Sequence, residues 1–478
     1  MNLDLTSATR KVAWERIQTT IEKYYTDTRS LDVTHPLDPK EITDYVGQYD
    51  LDDPMEVEKA LDHVVCGMTQ YAVHTPHPRY FGLFNPRAAF PGVLADSITA
   101  AFNPQLAGWG HAPFAVEVEQ YLVREMGRKF GYAEQQCDGV FTTGGTEANL
   151  TAVLLALTQH VPHFAEQGLV GATQRPRVYA SAESHHSVER AVRSVGLGAA
   201  SLCIVPVDSS FRMVPQRLEA HIEQDRAEGL LPFLIVATGG TTGGGAIDPL
   251  PELAELGQRH GLWLHVDAAY GGAVVVEEST CHLLEGIEQA DSITFDAHKW
   301  LSMPMSTSLL LTRHTTLLDR TFNTTTDYMP KETDGLPVSH PFMRSIQWSR
   351  RFSGLKLYTA LLMVGWKGFA ELVKRQMKLG RTFAALLTDN QWVVKNKSAL
   401  PIICFTDPVY ETDPDFSAFV CDTVLSTHQA WLSTYQLGTI RTLRVCITNY
   451  ATQEEDLHTL LALLNQARHH YQVSIQQL

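Results

Sequence analysis

No stretch of this 478-residue sequence is apolar for long enough to span a bilayer. Its first residues, MNLDLTSATRKVAWERI, lack the apolar core of a secretory leader, so a cytoplasmic protein is expected. Cysteine is sparse. The seven residues, Cys66, Cys137, Cys203, Cys281, Cys404, Cys421 and Cys446, are scattered, odd in number and form no CxxC pair. Neither a disulfide framework nor a structural zinc site is expected from them, and a reducing compartment fits best. Basic blocks are also missing. With a formal net charge of −15 the chain offers no docking stripe to nucleic acid or to an anionic membrane. There is no internal repeat, low-complexity tract, Gly-x-Ser-x-Gly elbow or cluster of metal-ligand residues, so no metal is expected. What is left is an ordinary globular composition, 44% hydrophobic and 19% charged, on a chain too long for one small core.

The stretch from Leu262 to Arg313 is the most informative. LWLHVDAAYGG and ADSITFDAHKWLSMPMSTSLLLTR contain short apolar runs that end in polar residues. Trp263 to Val266 closes on Asp267, Ile293 to Phe295 leads into His298 and Lys299, and Ser308 to Leu311 follows. Buried strands with charged groups at their C-terminal ends are how an α/β sheet presents a site. The acid and the amine lie 32 residues apart (299 − 267). A lysine can condense with an aldehyde, and a carboxylate can keep a pyridine nitrogen protonated. Pyridoxal phosphate needs both groups.

The rest of the chain supports a sheet with crossover helices. Residues 1–75 are polar and helical, punctuated by Pro36, Pro39 and Pro54. HPRYFGLFNPRAAF is rich in aromatics and prolines. Pro113 opens a helix to about Phe130 with acids early in it. In GVFTTGGTEANL a strand meets a small-residue turn that opens a helix, which leaves free N–H groups for an anion. Strands at Val178–Ala180, Leu202–Val207 and Phe233–Ala237 alternate with helical segments, which indicates a mostly parallel sheet. ATGGTTGGGAIDP carries five glycines, enough for close backbone approach to a planar ligand. After Arg313 a long polar segment without periodicity suggests a lid. LRVCIT is a strand in the final third, and its Arg444 is expected to need an acidic partner.

HVDAAYGG followed by DAHKWL resembles the group II pyridoxal phosphate-dependent amino-acid decarboxylases, a family that includes the aromatic amino-acid and glutamate decarboxylases. The likeness runs from about His77 to near the C-terminus. It implies a fold-type I aminotransferase architecture, with a mostly parallel central sheet in the large domain and a smaller C-terminal α+β domain. The implied division is a segment 1–75 packing across a homodimer, a cofactor-binding domain 76–367 and a small domain 368–478. The resemblance assigns the cofactor phosphate to Gly145 and Thr146, ring stacking to His185, and further cofactor contacts to Thr242, Ala269, Asp267, His298 and Lys299. It assigns Asp248 to structural support. Tyr328, in the polar segment, is implied to return a proton to Cα, with His298 assisting. Leu83, Phe84, Asn85, Trp109 and Arg444 are implied at the substrate. The expected activity is decarboxylation of a small-molecule L-amino acid to its amine, with an aromatic side chain favoured by the HPRYFGLFNP loop. A decarboxylating aldehyde synthase, a decarboxylase of diamino or acidic amino acids, an aminotransferase and a non-enzymatic subunit are the alternatives.

Overall fold

The computed structural model describes residues 3–324 and 338–476. Seven strands form the larger sheet: β1 (Asp138–Thr142), β2 (Pro176–Ser181), β3 (Leu202–Val205), β4 (Leu231–Thr238), β5 (Trp263–Asp267), β6 (Ser292–Asp296) and β7 (Ser308–Thr312). Their spatial order is β1-β7-β6-β5-β4-β2-β3. The strands from β6 to β3 are parallel to one another, but β7 is antiparallel to both β6 and β1. The mostly parallel pattern expected from the sequence thus holds from β6 to β3, and β7 is the exception. Only Ala297–Thr307 connects β6 to β7, too short a segment to carry a helical crossover, so the chain returns in the opposite direction.

The strands read as near-continuous apolar runs because both faces are covered. Alternate residues feed two cores. Ile235, Ala237, Leu264, Val266 and Phe295 pack with the helices Pro113–Lys129, Pro215–Ala227 and Leu250–His260. Leu234, Val236, Val178 and Leu310 pack with the helices Gly145–His160 and Ser187–Ser194. A 36-residue helix, Gly354–Asp389, leads out of this lobe and is broken at Gly365 (φ 64°, ψ 175°), just before the boundary expected at 367/368. Beyond it lies an antiparallel sheet in the order β10-β11-β9-β8, built from β8 (Val393–Val394), β9 (Ile402–Thr406), β10 (Ser433–Leu437) and β11 (Ile440–Cys446). Helices Phe416–Ser426 and Glu454–Gln476 cover it.

One feature of this arrangement carries residues toward the strand ends. Phe81 sits in the core of the smaller lobe and is tied by its backbone to Trp431 and Cys446, so the 80–84 segment is carried by that lobe. The N-terminal helices Ser7–Asp27, Pro39–Val46 and Val57–Gln70 bury none of their residues and leave Trp14, Val64 and Met68 exposed. Among the described residues no helix is long and apolar enough to cross a membrane.

Candidate active site

The C-terminal ends of β4, β5 and β6 supply the central groups. Register places Asp267 opposite Thr238 on one side and Thr294 on the other. β6 ends on Asp296, and a tight turn closed by the Lys299 N–H on the Asp296 carbonyl brings the lysine back over the strand end. Lys299 Nζ lies 3.0 Å from Asp296 Oδ2. The Ser308 hydroxyl donates to the same carboxylate, and His298 Nε2 is 3.7 Å from it. Burial alone would push the Asp296 carboxyl up. Lys299, His298 and the Ser308 hydroxyl outweigh burial and hold it below the usual carboxylate range. The site thus keeps a buried, charged counter-ion under its lysine.

Asp267 is buried and accepts on both oxygens, from the Ala269 N–H at 3.1 Å and from Asn149 Nδ2 at 2.8 Å. Asn149 also donates to Ser187 Oγ at 2.8 Å, and Ser187 lies 2.7 Å from His185 Nδ1. His185 keeps part of its surface open to solvent, while its neighbour Ser187 is buried. Burial foremost, helped by the charge of Lys299, lowers the His185 pKa against the opposing pull of Asp267. His298 is lowered by burial too, and its Nδ1 faces the Thr307 carbonyl at 3.1 Å. It is a buried turn residue beside the lysine.

The helix Gly145–His160 points its N-terminus at this cluster. Among the described residues the backbone N–H groups of Gly144, Gly145 and Thr146 have no partner. A Cβ at Gly145 would stand 3.1 Å from Asp296 Oδ2 and 3.5 Å from Ala269, whereas Gly144 borders open space. Free N–H groups at the positive end of a helix, kept clear by glycine, suit a phosphate. Thr238 and Thr242 bracket the glycine-rich turn after β4. Asp248 fixes that turn by accepting from the N–H groups of Met213 and Thr238, at 2.7 and 2.8 Å.

On the other side of Lys299 lies the 80–85 segment. Phe84 is 5.9 Å from Lys299 Nζ and stacks on Tyr270 (4.0 Å between centroids), which stacks on Trp300 (4.8 Å). Arg444 sits over Phe84 at 5.3 Å. Among the described residues no acidic side chain pairs with this arginine, contrary to the expectation from the sequence. Instead Nε, Nη1 and Nη2 donate to the carbonyls of Gly243, Gly82 and Thr242 at 3.0, 2.7 and 2.6 Å. Three carbonyl dipoles do the work that a carboxylate was expected to do, and they tie two loops to β11. Leu83 is exposed beside Phe84, and Asn85 accepts weakly from Tyr80 at 3.4 Å. Trp109 is held by Glu117 at 2.8 Å, with no hydrogen bond or ring contact to the lysine cluster among the described residues. Tyr328 lies outside the described residues. The sequence reading missed Asp296, Asn149 and Ser187. Asp296 stood inside DAHKWL, and Asn149 was the one amide among the apolar residues that follow the TTGGT turn.

A lysine amine, a buried carboxylate one strand away, an open helix N-terminus and an exposed imidazole together fit pyridoxal phosphate. Lys299 would hold its aldehyde carbon, Asp267 its ring nitrogen, the Gly144–Thr146 N–H groups its phosphate and His185 its ring face. Comparison with known proteins points to the same cofactor. The pyridoxal-dependent decarboxylase conserved domain matches residues 47–407, and the chain belongs to that family. It is 34% identical over 314 residues to an acidic amino acid decarboxylase, GADL1, of Bos taurus, covering 65% of this chain and 60% of that one. Human cysteine sulfinic acid decarboxylase is 36% identical over 317 residues, covering 65% and 63%. An aromatic-L-amino-acid decarboxylase of Bacillus atrophaeus is 29% identical over 397 residues, covering 80% of each chain. The chain thus spans about 60% of the length of the first two relatives. Among solved structures, Oryza sativa TDC with PLP and tryptamine superposes with a TM-score of 0.93 at 22% identity, covering 98% of this chain and 100% of that one. This likeness corrects the expected fold-type I aminotransferase architecture. The structure superposes over nearly its whole length on the decarboxylase fold, and its architecture is assigned to that group.

Proposed function

We propose that this chain decarboxylates an L-amino acid with an acidic side chain, using pyridoxal phosphate carried on Lys299. The observation behind the cofactor reading is the Lys299 amine, held on Asp296, one strand away from a buried, doubly hydrogen-bonded Asp267 carboxylate and beside an open helix N-terminus. When bound, pyridoxal phosphate supplies the electron sink for the pair left on Cα as CO2 departs. The chain's own residues do the remaining work. Asp267 supplies a fixed negative charge that opposes loss of the ring proton, already aimed by two donors and so needing no reorganisation. Asp296 keeps Lys299 at the mouth of the helix. His185 covers one face of the site, and the stack of Phe84, Tyr270 and Trp300 floors the other side of the lysine and excludes water from it. Tyr328 keeps the role of proton donor to Cα as a proposal from the family resemblance.

The aromatic preference drawn from HPRYFGLFNP gives way to an acidic one. Tyr80 is stacked on Trp431, Phe81 is buried in the smaller lobe's core and Phe84 is held in the Tyr270 stack. These rings are used in packing, and Leu83 is the exposed member of the segment. The relatives above 30% identity named here carry acidic substrates in their names. Incubating the purified protein with aspartate, cysteine sulfinate, glutamate, 2,4-diaminobutyrate, tryptophan, tyrosine and phenylalanine, and scoring CO2 and amine, tests this. The acidic group is expected to turn over fastest, and kcat/KM highest on an aromatic substrate would overturn it.

We also propose a homodimer in which residues 1–75 pack against the second copy. Exposed Trp14, Val64 and Met68 on otherwise unburied helices supply the apolar surface. Light scattering should give twice the chain mass, and an active monomer would contradict the assembly.

A further inference from the structure

Behind Asp267 lies a buried chain of polar groups that the reaction itself does not use. Asp267 can only accept, so the Asn149 atom 2.8 Å from it is the amide nitrogen, which fixes the orientation of that side chain. Asn149 Oδ1 must then accept, and it does so from Thr294 Oγ1 at 2.7 Å and from His265 Nε2 at 3.0 Å. His265 therefore carries its hydrogen on Nε2. Its Nδ1 is left as an acceptor for Ser292 Oγ at 2.8 Å, and Ser292 in turn accepts from Trp263 Nε1 at 2.9 Å. Burial pushes the His265 pKa down to about 4, so the ring stays neutral and the direction of the chain is fixed. At the other end Ser187 Oγ accepts from the second Asn149 hydrogen and so has its own hydrogen for His185 Nδ1, which also receives the Ser187 N–H at 3.2 Å. Every donor and acceptor of the Asn149 amide is used, with no alternative arrangement that avoids a donor–donor clash.

We propose that Asn149 is a positioning residue that sets, through this one directed chain, both the accepting face of Asp267 and the Nε2–H tautomer of His185. The inference rests on the reading of Asp267 and His185 as cofactor partners. Asn149 reaches both from the helix whose N-terminus faces the phosphate position, so a single buried amide coordinates the ring nitrogen's partner with the residue on the ring face. An amide suits this place because it alone offers two donors and a two-fold acceptor without charge. An aspartate would set two carboxylates against each other, and a leucine would leave Asp267, His265 and Thr294 each lacking a partner.

The test begins with the cofactor-free full chain labelled with [15N]histidine. Long-range nitrogen–proton spectra at neutral pH are expected to show His265 and His185 as neutral Nε2–H tautomers. His265 bearing its hydrogen on Nδ1, or charged, would overturn the relay. With pyridoxal phosphate added, Asn149→Leu is expected to lower kcat about 10–100-fold, the range for partners behind a ligating group, with a much smaller change in KM. The pH midpoint of the visible band of the bound cofactor should move as well. A lowered melting temperature with kcat and that midpoint unchanged would mean that the amide is merely structural. Should Asn149→Leu not fold, Ser187→Ala removes only the hydroxyl link, leaves the backbone N–H as the one donor to His185 Nδ1, and is expected to shift the His185 Nδ1 signal while leaving His265 unaltered. An unmoved His185 signal would refute the relay's reach to that ring. Borohydride labelling separates the two layers: a labelled Lys299 with unmoved readouts rejects the role of Asn149 alone, and an unlabelled Lys299 rejects the functional reading, while the tautomer spectra still decide the relay.

Discussion

Lys299→Ala is expected to lower decarboxylation by more than about 10^4-fold, because it removes the amine at the end of β6 that would hold the cofactor's aldehyde carbon. Borohydride reduction followed by peptide mapping should label the native protein at Lys299 and leave the variant unlabelled. A label on another lysine would move the site elsewhere. The same substitution has a second, independent consequence. It removes the cation 3.0 Å from a carboxylate whose side chain is 2% exposed. Leaving that charge with only Ser308 and His298 should cost about 3 kcal/mol of stability in the cofactor-free protein. In the native chain the depressed Asp296 pKa contributes stability above the ordinary carboxylate range, and that stability is lost as pH falls through the folded value. Without Lys299, burial is less opposed and the carboxyl rises. The variant is then weakest at neutral pH and recovers relative to the native protein as pH falls through the raised value. Thermal unfolding of both proteins at several pH values checks the sign, and adding Asp296→Asn to the variant should abolish the difference in slope.

Asp267→Asn should cost on the order of 10^2- to 10^3-fold in kcat, the range seen when a group aimed at developing charge is lost. The substitution keeps the shape but removes the negative charge that holds the ring nitrogen protonated. It also breaks a hydrogen-bond rule. Both Asp267 oxygens accept, one from Ala269 N–H and one from Asn149, so an amide must turn its NH2 toward one of these donors. That mismatch should lower stability by roughly 1–3 kcal/mol. Steady-state kinetics and a melting curve measure the two effects separately, and near-normal turnover would refute the charge role.

The parts of this site that could be read from the sequence were those whose chemistry is unusual for their surroundings. Asp267 and Lys299 stand at the ends of apolar runs, and the TTGGT turn opens a helix, so strand ends and an anion cradle could be inferred before any coordinates. The crossover arrangement of β2 to β6 followed from the alternation of strands and helices. The antiparallel return of β7 did not, because β7 looks like any buried strand and only the brevity of Ala297–Thr307 marks it. Asn149, Ser187 and Asp296 are common polar residues, and their importance comes from burial against one another across segments more than a hundred residues apart in the case of Asn149 and Asp267. Arg444 misled in a different way. A cation in an apolar strand needs compensation, but three carbonyls supply it as well as an acid would, and backbone carbonyls leave no trace in a sequence.

That arginine also determines how the molecule comes apart. Its guanidinium holds Gly82, Thr242 and Gly243 to β11, so the segment beneath the lysine, the glycine-rich turn and an inner strand of the smaller sheet share one fastening. None of the three can swing out alone without stranding a buried cation. Local opening at the mouth of the site is thereby merged with detachment of the smaller lobe, and amide hydrogens in all three segments should exchange with a common protection rather than as three independent loops.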